Sequence, residues 1–334
     1  MHPAMTTSVF RIKPPGFSPS LEIAACYIES NGKWLFLKRS EGKSEEGKWG
    51  VPAGKIEPSE TPLEAAIRET REETAIFQKE PPTFIGKIFV RKPGIDYVYH
   101  MYHQTYSQFP AVTLNDEHQE FRWLTAGDIF QLPLMEGGVM AWHHFRALAN
   151  KPQLIRKPFY FIRHGETDVN ANPLIKRVDY DLPLNKNGRN QAQLAKASII
   201  DLPLKSVCYS PIQRAVETKD ILAEDLATEQ VEIKQLSECQ AAIWMKMVRL
   251  EKGLGYHVCE EIEHFLCRAV SGLASALDKA GPTLIVAHGG IHWAFCYHMG
   301  IENHPWKIGN CQLVHFSPKG DQDWEANLVP MLST

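Results

Sequence analysis

Residues 54–76 read GKIEPSETPLEAAIRETREETAI, and the spacing of their charges decides how the first half of the chain is built. Residues 61–74 read as one helix, with Glu60 just ahead of it and Leu63, Ala66, Ile67 and Thr70 on its inner face. On a helix, positions i, i+3 and i+4 share a face, so Glu69, Glu72 and Glu73 crowd three carboxylates into one patch. Such a patch is costly unless a divalent cation sits in it, and hard oxygen ligands suit Mg²⁺ or Mn²⁺. Taken alone, a string of this kind is ordinarily a solvated face with i,i+4 ion pairs. Here a turn-rich loop, residues 49–54 (WGVPAG), leads into the helix.

Around that helix the sequence reads as strands. Residues 21–29 and 33–39 are short apolar runs separated by Ser30, Asn31 and Gly32, and Asn-Gly is a hairpin signal. Residues 41–50 form a polar loop. Residues 83–92 and 97–106 read as two strands split by Pro93 and Gly94, 120–124 as a brief strand, and 139–149 as a closing helix. Residues 1–20 lack an apolar signal core and read as a flexible, proline-rich lead-in. The first domain is therefore placed at 21–150. Residues 151–158 carry Pro152 and Pro158 among polar side chains, a composition that marks a linker.

Residues 159–334 read as an alternating α/β domain. A short apolar strand at 159–162 ends in Arg163, His164, Gly165, Glu166 and Thr167. Ligands in α/β sheets bind at the carboxyl ends of strands. Residues 186–199 show a helical pattern. A strand at 207–209 is followed by Ser210, Pro211 and a helix carrying Arg214 and Thr218. Residues 260–280 are a long amphipathic pattern, 283–287 a buried strand ending at His288, Gly289 and Gly290, and 311–316 a closing strand.

A chain of 334 residues exceeds the usual size of one core, which fits two domains. A net charge of −3 leaves no electrostatic footprint for a nucleic acid polymer. Seven cysteines, with no paired CxxC spacing, fit reduced thiols in a cytoplasmic protein better than a disulfide framework. No apolar run reaches membrane-spanning length. The expected partners are small molecules, a nucleotide or a phosphorylated metabolite; the sequence does not give an oligomeric state.

The order of residues 54–76 resembles the Nudix box, with Gly54, Glu60, Arg68, Glu69, Glu72, Glu73 and Ile76 at its positions. Thr70 stands where an apolar residue is usual and Ala75 where glycine is usual. Alanine is less comfortable in the left-handed turn that ends such a helix. The resemblance implies a mixed-sheet α/β/α sandwich that cleaves a nucleoside diphosphate linked to another group. It implies Mg²⁺ (or Mn²⁺) on Glu69, Glu72, Glu73 and the Gly54 carbonyl, with Arg68 orienting the carboxylates. A further glutamate from a distant loop often assists in this family. Glu117 and Glu120 are candidates for it, and a solvated loop explains them equally. Trp49, Tyr97, Tyr99 and His100 could stack on a base, although aromatic strand residues also build cores.

In the second half, FIRHGETDVN, DLPLNKNGRNQA, YSPIQRAVET, LSE and LIVAHGG follow one another over 161–290. Their order resembles the histidine phosphatase (phosphoglycerate mutase-like) superfamily, which implies a three-layer α/β/α domain. The resemblance makes His164 the nucleophile and Arg163, Arg214 and His288 a cationic cradle for phosphate. Asn170 adds a hydrogen bond, and Glu238 is the proton donor to the leaving oxygen, with Glu260 or Glu261 as substitutes. No cofactor is implied there. Only fifty residues separate Glu238 from His288, so Trp244 and its neighbours must form most of any lid over an open pocket.

Fusions in this order resemble the mycobacterial MutT-type enzymes. The expected function is a bifunctional phosphohydrolase. The first half is expected to cleave 8-oxo-(d)GTP or a dinucleoside polyphosphate, with ADP-ribose or another nucleoside diphosphate sugar as the alternative substrate, and the second half to hydrolyse a phosphomonoester through phosphohistidine. The alternative is that one half is a nucleotide- or phosphate-binding regulatory module.

Overall fold

The computed structural model describes residues 7–149, 151–172, 181–251, 260–320 and 322–330, with backbone only for 249–251 and 260–261. They form two compact units.

The first unit is built on one mixed sheet. Its elements are β1 (Ser8–Phe10), β2 (Leu21–Ser30), β3 (Lys33–Arg39), β4 (Trp49–Gly50), β5 (Ala53–Lys55), α1 (Pro62–Thr74), β6 (Thr83–Lys92), β7 (Ile95–Tyr106), β8 (His118–Leu124) and α2 (Gly138–Leu148). The strand order is β1-β6-β7-β2-β3-β4, with β5 on β2 and β8 on β3. The β2–β7 pair is parallel and its neighbours are antiparallel. Asn31 and Gly32 both take positive φ, 51° and 71°, which closes the β2–β3 hairpin as a type I′ turn.

Side chains alternate along β2, and this sorts the two helices onto opposite faces. Ala24 packs with Ala65 and Ala66 of α1 and with Tyr102. Tyr27, of opposite parity, stacks on Phe145 of α2 with centroids 3.9 Å apart. Thr61 caps α1 in a capping box with Glu64, and Pro62 opens the first turn. The buried face of α1 is Ala65, Ala66, Thr70, Glu73 and Thr74. Leu63 and Ile67, expected on that face, are only half-buried, because Glu73 turns inward and shifts the stripe around the helix. The lead-in also departs from expectation. Ser8–Phe10 pairs with β6, and Val9 and Phe17 are buried.

The second unit holds β9 (Phe159–Arg163), α3 (Asp168–Ala171), α4 (Lys186–Ile199), β10 (Ser206–Tyr209), α5 (Gln213–Ala223), β11 (Glu229–Glu232), the first residues of α6 (Ala241–Glu251) up to Met245, α7 (Glu260–Leu277), β12 (Thr283–Ala287), α8 (Gly289–Met299), β13 (Leu313–Lys319) and β14 (Asp323–Leu328). The sheet order is β11-β10-β12-β9-β13-β14, parallel through β9 and antiparallel beyond it. Ile162, Val207, Leu284 and Val286 face α4 and α5. Phe159 and Phe161, on the other parity, meet Phe295 of α8. The sheet is therefore covered on both faces. In the linker stretch, Arg156 donates to the carbonyls of Gly320 and Asp323 at 3.0 and 2.8 Å, which ties it to the β13–β14 turn. Among the described residues no helix is long and apolar enough to cross a membrane.

Candidate active sites

The first unit encloses a cavity of about 560 Å³, within the range of nucleotide-sized pockets. Trp49, Tyr97 and Tyr99 line it, joined by Tyr27, Phe36 and Trp142. His100 does not. It is the neighbour of Tyr99 on β7 and so points to the α1 face, where it meets Glu22 at 2.6 Å. Strand alternation rules it out of the stacking set.

Glu69 and Glu73 line the same cavity. Glu73 is 4% exposed and accepts the Ala53 N–H at 3.1 Å. A Cβ on Gly54 would lie 2.0 Å from Oε1 of Glu69, so glycine is what lets that carboxylate reach β5. Arg68 gathers the remaining acids. Its Nε and Nη2 hold the two oxygens of Glu60 at 2.9 and 3.0 Å, and Nη1 reaches Glu69 at 2.7 Å and Glu72 at 3.0 Å. That fork keeps the Glu60 carboxyl below its usual range. Burial pushes Glu69 up. Glu73 is pushed well up by burial, then by the Glu69 and Glu117 charges.

Among the described residues no three Asp, Glu, His or Cys side chains gather as a preformed ion cage. Arg68 Nη1 holds Glu69 and Glu72 together while Glu73 turns inward. Glu72, with 55% of its side chain exposed, leans to Arg68 and does not line the cavity. Buried Glu73 and half-buried Glu69, beside the Gly54 backbone, are nonetheless a hard-oxygen donor set that fits Mg²⁺. Of the two candidate assisting residues, Glu117 lines the cavity and pairs with Arg39 at 2.7 Å. Glu120 lies outside it, paired with Arg122 at 2.6 Å. Two neighbours were not foreseen. Arg39 lines the cavity, and buried His118 places Nε2 4.0 Å from Glu73. Burial and Arg39 hold His118 down to about 4, so it is neutral.

The second site lies at the carboxyl ends of β9, β10 and β12. His164, directly after β9, is 2% exposed. Its Nδ1 lies 2.7 Å from the Gly165 carbonyl, which can only accept, and Arg214 Nε donates to Nε2 at 3.1 Å. The proton therefore sits on Nδ1 and the lone pair on Nε2. Buried Arg214 is held on α5, and Thr218 of the same helix accepts the Gly165 N–H at 3.0 Å. Arg163 ends β9 and donates to the Ile308 carbonyl at 2.9 Å. His288 follows β12, fully buried, its ring centroid 5.2 Å from that of His164. Burial, then His164 and Arg214, hold it well below the usual histidine range.

Glu238 receives the Gly290 N–H at 3.1 Å, at the first turn of α8. A Cβ on Gly290 would fall 2.2 Å from the same oxygen. Glu238 lines a cavity of about 230 Å³ with Arg163, Trp244 and Lys307. Asn170 spends its carbonyl oxygen on the cap of α3, accepting from Thr167, and lies 3.4 Å from Asn310 Nδ2. Asn310 also donates to the His164 carbonyl at 2.9 Å. The sequence reading missed Asn310 because it follows none of the quoted motifs. The alternative acids Glu260 and Glu261, by their side chains, and lid residues 252–257 lie outside the described residues.

The folds and their two clusters define a class, a chain of two phosphate-handling hydrolase domains. The model of the histidine phosphatase superfamily (branch 1) matches residues 159–329, and that of the NUDIX domain matches residues 20–142. The chain belongs to the histidine phosphatase superfamily and carries a Nudix domain ahead of it; both families are hydrolytic enzymes. It is 28% identical over 193 residues to the agropine synthesis reductase of Rhizobium rhizogenes, covering 53% of this chain and 43% of that protein. The chain thus spans less than half the length of that relative. It is 33% identical over 108 residues to the asymmetrical bis(5'-nucleosyl)-tetraphosphatase of Mus musculus, covering 30% of this chain and 69% of that one. It is 27% identical over 167 residues to a Mycobacterium tuberculosis protein provisionally assigned as 8-oxo-dGTP diphosphatase 3, covering 43% and 75%.

Proposed function

We propose that the chain is a bifunctional phosphohydrolase with two independent sites. The first cleaves a diphosphate linkage in a small nucleotide. The likeness to a tetraphosphatase and to an 8-oxo-dGTP diphosphatase supports dinucleoside polyphosphates and oxidised guanine nucleotides as its substrates. Glu69, Glu72, Glu73 and the Gly54 carbonyl would hold Mg²⁺. Bound there, the ion supplies charge neutralisation for the diphosphate and an acidified water. Arg68 keeps Glu69 and Glu72 oriented, and the aromatic wall excludes water from the base. Glu73 Oε1 takes a proton from the attacking water, with Glu117 assisting across the cavity.

The second site removes a phosphate from a monoester through phosphohistidine, and the observation that carries this is His164 itself. Its lone pair on Nε2 is presented beside Arg214. Nε2 attacks phosphorus while the bond to the leaving oxygen breaks. Arg163, Arg214, His288 and Asn170 hold the phosphoryl oxygens, where charge develops. Glu238 protonates the leaving oxygen, then takes a proton from the water that hydrolyses phosphohistidine. Small nucleotide and phosphorylated substrates support a cytoplasmic location for the chain.

The test is product analysis with Mg²⁺ on 8-oxo-dGTP, dGTP, ADP-ribose, diadenosine tetraphosphate and simple phosphomonoesters. Glu73→Gln is expected to lose diphosphate cleavage alone, and His164→Ala to lose phosphate release alone. A half whose variant matches wild type on every substrate that the wild type turns over is a binding module, and the bifunctional reading fails.

A further inference from the structure

We propose that Ser210 is a positioning residue of the second site, fixing His288 as the tautomer with its proton on Nδ1, where it donates to the phosphoryl group. The proposal rests on the phosphohistidine reading above and deepens it. Ser210 and His288 are both fully buried, at the ends of β10 and β12. Ser210 Oγ lies 2.7 Å from His288 Nε2. The Ile212 N–H donates to the same Oγ at 3.3 Å.

A serine hydroxyl has one proton to give and two lone pairs to receive with. Ile212 occupies one lone pair. The hydroxyl proton then needs an acceptor, and among the described residues the group within its reach is His288 Nε2. When Nε2 accepts, a neutral ring must carry its hydrogen on Nδ1. That nitrogen is buried, and no group among the described residues bonds it. A buried N–H left without an acceptor is costly. A phosphoryl oxygen held beside His164, whose ring centroid is 5.2 Å from that of His288, supplies one. The opposite tautomer strands the Ser210 proton in the core and turns a lone pair toward an oxyanion. Burial and then the nearby arginines keep the ring neutral, so it donates without adding a positive charge. Ser210 thus acts on phosphate through His288 and never touches it.

The test uses the full chain labelled with ¹⁵N at histidine, in the presence of inorganic phosphate. His288→Asn identifies the His288 signals by their loss. The wild type is expected to show hydrogen on Nδ1 and a bare Nε2. Ser210→Ala is expected to lower kcat on p-nitrophenyl phosphate by about 10- to 100-fold, with KM nearly unchanged. Hydrogen on Nε2 in the wild type overturns the proposal, as does a Ser210→Ala enzyme with wild-type kcat. If Ser210→Ala does not fold, the wild-type spectrum alone decides. A His164→Ala enzyme that still releases phosphate sinks the phosphohistidine reading instead, a result separable from the tautomer, which needs no turnover.

Discussion

Ala75 ends α1 with φ 54° and ψ 18°, the left-handed conformation that glycine takes without strain. Its Cβ makes that turn unfavourable by about 1–2 kcal/mol. Ala75→Gly should therefore stabilise the first unit by about 1 kcal/mol, after the larger chain entropy of glycine is subtracted. Chemical denaturation checks it, and a variant less stable than wild type refutes the strain. Gly54 is the opposite case. The atom a Cβ would strike is the tip of the Glu69 side chain, which can swing away. Gly54→Ala should leave the melting temperature almost unchanged and lower diphosphate cleavage about 100-fold, with monoester hydrolysis intact. At this scale, residue types were legible in the sequence and their partners were not. Glu69, Glu72 and Glu73 share spacing, but only the folded chain shows Arg68 drawing Glu72 outward. Glu117 and Glu120 sit three apart in one segment, and it is the ion pair to Arg39 that marks the one in the cavity.

The elements show why motif order alone read so much of the second unit. Asn185 caps α4 by accepting the Gly188 N–H at 2.8 Å, and its Nδ2 donates to Glu166 at 3.0 Å. Asn187 donates to the same Glu166 oxygen at 3.0 Å. The loop after β9 and the start of α4 are thus one piece, although about twenty residues separate them. A Cβ on Gly188 would lie 2.1 Å from the Glu166 carbonyl oxygen, a backbone atom that cannot step aside alone. Gly188→Ala should destabilise the second unit by about 2–3 kcal/mol and slow phosphate release, with the first unit's melting unchanged. Calorimetry that finds both transitions unmoved refutes the coupling. Elements with local signals were readable: the Asn-Gly hairpin, the capped α1, the apolar β12. The short β1, β5 and β11 were not, because their strand character comes from a neighbour's ladder rather than their own pattern. α8 also escaped, since it is buried on nearly all sides and carries no amphipathic stripe.

Acid sets the two units apart at the scale of the whole molecule. Each buries neutral histidine: His144 in the first and His292 in the second are each held down to about 3 by burial. An unfolded histidine takes up its proton near pH 6.5, while these stay unprotonated in the folded chain. The unfolded state therefore binds more protons below that pH, so stability is present above it and lost as pH falls. Between pH 7 and 5 each such group removes about 2 kcal/mol. His288 adds a loss of the same sign to the second unit, and His118 does so to the first. The first unit has a compensation that the second does not share among its shifted groups. Its Glu69 and Glu73 are raised, so folding takes up protons there and gains stability as pH falls. In EDTA, the second unit's melting transition should accordingly drop more steeply between pH 7 and 5 than the first unit's. Inorganic phosphate, which on the proposed function binds the folded second site, should identify that transition by raising it. Parallel pH slopes for the two transitions would show that Glu69 and Glu73 do not offset the buried histidines.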